Sequence, residues 1–529
     1  MQIMCSFVRS ISCLAAALVV GVAYSALAAG PTDPVTVELP PDDQGDAFVP
    51  GFRTIGGLAH EYVQEEYFVS GTATLYNYAN DPPLGPTDTV AIDEAPYKTR
   101  IIVRRPTSQG VFKGTVVVEW GNSTAGFDTA PAWDASAEYF GREGVIYVGV
   151  TNSTTSLGFL VGGCRLFGVL PPTCGTRYST LSLPENGLAF EMVSQIANLL
   201  KGDSPDNPLP DDFDVERIYH AGQSQQGGSM VTYASGFHFD VNDGYFVQQA
   251  ASARPINFGP ACGAEGSPPY PDCTPRLQYP DNLVSTDLPV PVVHANSETD
   301  IEILFGTVGR QADTSTFRYY EVAGAGHLIV HKGIEVVPGL SLEDLCQFEI
   351  NSTADGPVFF SYVLNALWES LEQQVQRGIA PPPGVQMDVV DGVVQRDEFD
   401  NGLGGVRPVS LEVPVATYVP GNVADPSLPP FLQGIANLAC RLASSVLPFD
   451  QATLDELYPN GGAYISQVAH AANDQRSEGF LLSKDRQKII NAAVMSGVGC
   501  GIGFELAFLL PPLMWLRQRR KRRASGAVL

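Results

Sequence analysis

The chain has 529 residues, of which 44% are hydrophobic and 17% are charged. This balance is typical of a globular protein, and the length allows one large domain or two ordinary ones. The formal net charge of −26 at pH 7 argues against nucleic acid as a partner, because binding phosphates requires positive charge. The seven histidines are scattered and no Cys-x-x-Cys pair occurs, so we expect neither a metal site nor a cofactor.

The first residues are typical of a secretory signal. Residues 1–28 contain Arg9, then an apolar run, then the small-residue cleavage pattern Ala26-Leu27-Ala28. An uncleaved N-terminal anchor is the alternative. Residues 29–60 begin with a stretch rich in proline and aspartate, which predicts a linker ahead of the folded body.

Between residues 61 and 327, β-prone runs alternate with segments of helical periodicity. The predicted strands are 61–76, 97–104, 114–120, 144–150, 218–222, 245–250, 290–295 and 317–322, and the predicted helices are 132–140, 188–200 and 229–234. This alternation predicts an α/β fold in which helices cover both faces of a mostly parallel central sheet. We assign 61–490 to one domain with cap insertions at 254–288 and 345–480. Within the second insertion we predict helices at 359–373, 430–446 and 462–488.

One turn carries the strongest chemical signal. A β-prone run ends in Gly222, Ser224 follows, and glycines then precede a helix, which is how a nucleophile elbow is built. Small neighbours are needed there because the turn is sharp. The usual glycine two residues after the serine is replaced by Gln226, and Gly227 comes one residue late. The match to Gly-x-Ser-x-Gly is therefore partial, and an ordinary turn is the alternative.

Three reactive residue types follow predicted strands, in the order Ser224, Asp300, His327. Carboxyl ends of parallel strands meet at one edge of a sheet, where such proteins bind ligands. A serine hydroxyl needs a base to take its proton, a neutral imidazole is such a base, and a carboxylate orients the imidazole. The acid has alternatives in the same loop: Glu298 is the second choice, and Glu302 also lies there.

Negative charge that develops on a substrate carbonyl during attack requires an oxyanion hole. One backbone N–H is expected from Gln225, the residue after the nucleophile. The second is expected from the loop after the third strand, at Gly121 or Asn122.

Five stretches of the chain carry a resemblance to a known family: 65–73, 114–122, 222–225, 296–300 and 479–485. In these stretches the sequence resembles the α/β-hydrolase superfamily, and in particular a bacterial group of alpha/beta hydrolase domain proteins. The resemblance extends from about residue 60 to 490 and implies the fold and the triad positions, but no substrate. In that group the residues after the elbow vary, so the resemblance implies that Gln226 is tolerated.

The C-terminal end is typical of a membrane anchor. Residues 491–516 are largely apolar and long enough to span a bilayer, although Glu505 and a proline pair interrupt them. The basic cluster that follows predicts that residues 517–529 stay in the cytoplasm. Residues 496–500, the apolar segment and the basic end also resemble bacterial C-terminal sorting signals, in which case the anchor is cut. A simple anchor is the alternative.

Cysteine use agrees with export. Six cysteines after the signal form three disulfides if the compartment is oxidising, and buried free thiols are the alternative. Two pairs are close enough in sequence to close local loops, and connectivity stays open. The six are Cys164, Cys174, Cys262, Cys273, Cys346 and Cys440, and Cys500 follows them.

These features together predict an exported, membrane-anchored serine hydrolase that acts on a small-molecule carboxylic ester. The catalytic body is expected on the extracytoplasmic side, in the periplasm or at the cell surface. The alternative is a non-catalytic surface binding protein that retains the fold, which the unusual Gln226 favours.

Overall fold

A computed structural model describes residues 35–79, 89–165, 173–251, 253–254, 256, 283–329, 331, 333, 335–337, 340–351, 360–496 and 498. The predicted signal lies outside these ranges, as do Cys262, Cys273, Cys500, most of the 254–288 insertion and most of the predicted membrane segment. No helix in the described part of the chain is both long enough and apolar enough to cross a bilayer.

A nine-stranded sheet, counted over the described residues, forms the centre of the domain, in the order β1-β2-β3-β5-β4-β6-β7-β8-β9. The first three strands and β5 pair antiparallel, and the strands from β5 to β9 pair parallel. The strands are β1 Thr36–Glu38, β2 Tyr62–Tyr78, β3 Thr89–Pro106, β4 Thr115–Trp120, β5 Ile146–Val150, β6 Arg217–Gln223, β7 Gly244–Gln248, β8 Val292–Ser297 and β9 Phe317–Val322. The mostly parallel sheet that the sequence predicts is therefore present.

Helices cover both faces of the sheet because its strands are apolar on both sides. In β4, Val116 and Val118 pack into one core cluster, and Val117 between them packs into the other. Parallel strands buried in this way read as continuous apolar runs. The longer helices that cover the sheet are α3 Ala189–Lys201 and α4 Gln225–Gly236 on the first face, and α1 Pro131–Glu143 and α6 Phe360–Arg377 on the second.

Part of the predicted linker belongs to the folded domain. Residues Thr36–Glu38 extend the sheet by pairing antiparallel with β2. The next residues are held by buried arginines, since Arg100 donates to the carbonyl of Phe48 at 2.8 Å and Arg104 to that of Pro50 at 2.7 Å. The linker expectation for 29–60 is wrong over this part, because proline and aspartate composition says nothing about a partner strand.

Smaller elements lie between the strands of the sheet and after β9. The remaining elements are α2 Thr154–Val161, α5 Glu298–Glu302, β10 Glu335–Val337, β11 Leu340–Ser341, β12 Val389–Val390, β13 Val393–Val394, α7 Val409–Glu412, β14 Ala416–Val419, α8 Pro430–Leu442, β15 Ser445–Pro448, α9 Gln451–Leu457, α10 Gly461–Ser477 and α11 Ser483–Met495. The predicted helix 430–446 ends early and gives way to β15. The predicted helix 462–488 is two helices, because Gly479 between them has φ +91°.

The domain continues past the predicted boundary at 490. Ala493 in α11 and Val498 are each 6% exposed and pack in a cluster with Tyr464 and Val468. The first residues of the predicted membrane segment 491–516 are therefore part of the globular core.

Among the described residues, two disulfides join Cys164 to Cys174 and Cys346 to Cys440.

Candidate active site

Ser224 lies in a strained turn between β6 and α4. Its backbone has φ 57° and ψ −116°, a conformation that non-glycine residues rarely adopt. The turn requires glycine at position 222, because a Cβ there would lie 2.3 Å from the carbonyl oxygen of Gln226. The strain places the serine at the carboxyl end of a central strand, where parallel sheets bind ligands.

The glycine that the short motif requires is present one residue later than expected. A Cβ on Gly227 would lie 2.7 Å from the carbonyl oxygen of Gln248 and 2.8 Å from the Cβ of Ala250. Gly227 therefore allows the close approach of α4 to β7. Position 226 therefore does not need a small residue, and the turn accommodates the side chain of Gln226.

The structure brings Ser224, His327 and Asp300 together. The Nε2 atom of His327 lies 2.9 Å from the Ser224 hydroxyl, and its Nδ1 atom lies 2.6 Å from Oδ1 of Asp300. With the proton on Nδ1, which the carboxylate favours, Nε2 accepts from the serine hydroxyl. His327 and Asp300 are 3% and 1% exposed, so water competes little for these bonds.

The helix that follows β8 fixes Asp300. Ser297 is the N-cap of α5, and its backbone N–H and hydroxyl donate to Oδ2 of Asp300 at 2.7 and 2.6 Å. Oδ1 is left for His327. This capping box uses the third helical residue, which is how the helix start selects among the acids of this loop.

The two other acids of the loop bind elsewhere. Glu298 accepts from the backbone N–H of Gly324 at 2.6 Å and pairs with Arg396. Glu302 pairs with the same arginine. Burial raises the pKa of Glu298, and Arg396 opposes that shift. Neither side chain contacts His327.

Two of the predicted oxyanion donors are already engaged. The N–H of Gly121 donates to the Val150 carbonyl at 3.0 Å, and that of Asn122 donates to the Thr129 carbonyl at 3.2 Å. The first bond continues the pairing of β4 with β5, and the second is part of an isolated bridge that closes the loop between residues 122 and 129. We correct the expectation by one residue, because the backbone N–H groups of Ser123 and Gln225 donate to no other group in the described ranges.

A family model described as alpha/beta hydrolase domain matches residues 37–491. The chain belongs to this family. The match covers most of the chain, and with the sheet order it establishes the α/β-hydrolase fold. No curated protein matches the chain.

Solved structures similar to this α/β-hydrolase include two enzymes. A glucuronoyl esterase from Solibacter usitatus is 12% identical, covers 48% of this chain and 70% of its own, and has a TM-score of 0.24. A dienelactone hydrolase from Anabaena variabilis ATCC 29413 is 14% identical, covers 40% and 72%, and has a TM-score of 0.22.

The sequence reasoning missed Gln223, which ties the parts of the site together. Its side-chain N–H₂ donates to the carbonyl of His327 at 3.1 Å, and its Oε1 accepts from the Asn122 amide at 2.7 Å. The residue thus joins the histidine loop, the elbow of the hydrolase and the loop after β4. It stands at the variable position of the Gly-x-Ser motif, so the motif contains no signal for it.

A cavity opens beside the elbow. It begins at Ser123 and Gln225, and neither His327 nor Asp300 lines it. Its far walls come from the loop after β5 and from the start of α3, at Asn152 and Phe190. Within the described ranges, no group of three His, Cys, Asp or Glu side chains is placed to hold a metal ion.

Proposed function

We propose that this α/β-hydrolase is a serine hydrolase that cleaves carboxylic esters through an acyl-enzyme. One observation carries the proposal: an unbroken hydrogen-bond chain runs from Asp300 through His327 to Ser224, whose backbone is strained. Strain of this kind persists where function requires it. In the first step the Ser224 oxygen attacks the ester carbonyl while Nε2 of His327 takes its proton, and Asp300 stabilises the imidazolium.

The carbonyl oxygen becomes an oxyanion as the tetrahedral intermediate forms. We assign its two donors to the backbone N–H groups of Gln225 and Ser123. A donor of this kind is worth about 3–4 kcal/mol in the transition state. The intermediate collapses when His327 gives its proton to the departing alcohol. Water then attacks the acyl-enzyme, again with His327 as base, and releases the acid and free Ser224.

The alternative of a non-catalytic binding protein loses its main support. The binding-protein alternative depended on the presence of Gln226 at the position where the motif has glycine. Gly227 meets the steric need instead, since its missing Cβ leaves room for the carbonyl of Gln248. The turn therefore reaches the strained geometry of Ser224 without a glycine at 226.

The proposal includes export and membrane anchoring. Two disulfides in the described residues support an oxidising compartment, where such bonds persist. The predicted signal at 1–28, the apolar segment from 499 to 516 and the basic end at 517–529 lie outside the described residues. We propose that they place the hydrolase on the extracytoplasmic side of the membrane.

Labelling of the purified full chain with a fluorophosphonate tests the catalytic assignment. Wild type should be labelled on Ser224, as read by peptide mass spectrometry, and Ser224→Ala should not. Loss of the nucleophile costs about a million-fold in kcat in a related triad. Ser477→Ala, at a surface serine that bonds only within α10, is the matched control and should keep full labelling and turnover. Wild-type turnover in Ser224→Ala would refute the assignment.

A further inference from the structure

Two of the side chains that line the cavity beside the elbow, Asn152 and Gln226, have polar groups without a partner among the described residues. Asn152 is 3% exposed, and its Oδ1 is enclosed without a hydrogen-bond partner. The Asn152 amide makes no hydrogen bond to any other described residue. An enclosed polar atom without a partner is destabilising, and Asn152 lies at the wall of an open cavity, where a ligand can supply that partner.

Gln226 supplies a second amide to the same cavity. It is 5% exposed, and its side chain forms no hydrogen bond with the rest of the described chain. Each amide offers a carbonyl acceptor and an N–H₂ donor. Ser229 and the guanidinium of Arg254 line the same cavity and add to its polarity.

Apolar contact in the cavity comes from flat aromatic groups. Trp120 and Phe190 line one wall, with ring centroids 5.6 Å apart. A wall of this kind accommodates the C–H face of a small ring or a short carbon chain. The amides of Asn152 and Gln226 then require partners on the same ligand, because a purely alkyl ligand would leave them desolvated and unpaired.

The position of the cavity decides which half of an ester enters it. The departing alcohol must receive its proton from Nε2 of His327, so that half lies on the histidine side of Ser224. The cavity begins at Gln225 and Ser123 and is not lined by His327. It therefore receives the acyl half.

We propose that the cavity is an acyl subsite for a short, hydroxylated acid, and that Asn152 and Gln226 determine this specificity. The proposal rests on the proposed ester hydrolysis and narrows its substrate class. Hydroxyl groups on the acyl chain both donate and accept, as the two amides do. A site built to bond a hydroxyl rejects an analogue that lacks it far more strongly than an apolar pocket rejects a missing methylene.

A matched pair of diesters tests the subsite. Dimethyl tartrate and dimethyl succinate have the same four-carbon acyl skeleton and differ by two hydroxyl groups. Hydrolysis by the full chain is followed by acid release, and each kcat/KM is divided by the rate constant for hydroxide alone, which removes the difference in intrinsic reactivity. The corrected tartrate-to-succinate ratio should be at least about tenfold in wild type.

Apolar variants of nearly the same shape test whether the two amides determine the tartrate-to-succinate ratio. Asn152→Leu and Gln226→Met should each lower the ratio by about tenfold. Asn365→Leu is the control, because Asn365 is also buried with an unpaired Oδ1 but lies in α6, away from the cavity. It should keep the wild-type ratio.

The outcomes separate the subsite from the underlying function. A corrected ratio near one in wild type, or an unchanged ratio in both amide variants, would overturn the subsite proposal. If fluorophosphonate still labels Ser224 in that case, the proposed hydrolase function stands. If neither diester is cleaved and no label is taken up, the hydrolase assignment itself fails.

Discussion

Glu298 accepts a hydrogen bond from the backbone N–H of Gly324 at 2.6 Å, three residues before His327. The same carboxylate pairs with Arg396. Glu298 is thus a positioning residue that binds the backbone of the loop that carries His327. Asp300, two residues later, contacts the imidazole itself. Two carboxylates only two residues apart in α5 thus have different partners.

This division predicts different losses for the two acids. Asp300→Asn should lower kcat by about ten-thousand-fold, because an amide no longer favours the tautomer in which Nε2 accepts from Ser224. Glu298→Gln should lower the free energy of unfolding, because it leaves the partly exposed Arg396 with Glu302 as its one remaining carboxylate among the pairs described. The kcat of the Glu298 variant should remain at least about a hundredfold higher than the kcat of the Asp300 variant. Steady-state kinetics and urea unfolding of both variants check this, and equal losses of kcat would show that Asp300 is misassigned.

The glycines of the elbow should respond to a single methyl group. Gly222→Ala and Gly227→Ala each bring a Cβ within 2.3 and 2.7 Å, respectively, of a backbone oxygen. Each should therefore reduce fluorophosphonate labelling and lower the melting temperature. Gly434→Ala in α8, where a Cβ meets nothing within 4 Å, should instead stabilise by about 0.5–1 kcal/mol. Full labelling in Gly227→Ala would mean that the late glycine does not fulfil the role assigned to it.

Burial of Glu119 in β4 predicts a pH dependence of stability. Its carboxyl accepts from the backbone N–H groups of Ala132 and Trp133 and from Tyr147, but burial dominates and raises its pKa to about 8 from 4.5. The folded chain then holds a proton that the unfolded chain releases, so stability should decrease as pH rises from 4.5 to 8.

Urea unfolding at pH 5.5 and pH 8 measures this effect. The free energy of unfolding of wild type relative to Glu119→Gln should fall by about 3 kcal/mol between the two pH values. The comparison concerns the slope with pH, since the amide also changes the absolute stability. Glu478→Gln, at an exposed position after α10, is the control and should follow the wild-type slope. Parallel slopes for wild type and Glu119→Gln would contradict the prediction.

Export is tested by fusing alkaline phosphatase after Ser496 and, separately, after Leu529. The first site lies beyond α11, whose Asp485 is buried and paired with Arg142, so the fusion leaves that contact in place. Phosphatase activity is expected in the first fusion and not in the second, because six of the seven residues at 517–523 are basic and favour the cytoplasm. The reverse pattern, or activity in neither fusion, would place the body in the cytoplasm.

The parallel core of the sheet was predictable because its strands are short, apolar and separated by helical segments. β9, predicted at 317–322, has those bounds in the structure. The edge strand β1 was not predictable, because three residues in a proline-rich stretch carry no period. Its register with β2 depends on a partner more than 20 residues away.

The order of strands, turns and reactive residues was enough to predict the α/β-hydrolase fold and to name Ser224, Asp300 and His327, because residues that follow successive parallel strands meet at one edge of a sheet. The packed domain was needed to show which acid faces the histidine, which backbone N–H groups stay free beside Ser224, and that Gly227 serves in place of a glycine at 226. These choices depend on contacts between segments far apart in the chain, such as Glu298 with Gly324 and Gly121 with Val150. Local propensity and spacing contain no record of such contacts, because distances between distant segments are set by the packing of the whole domain.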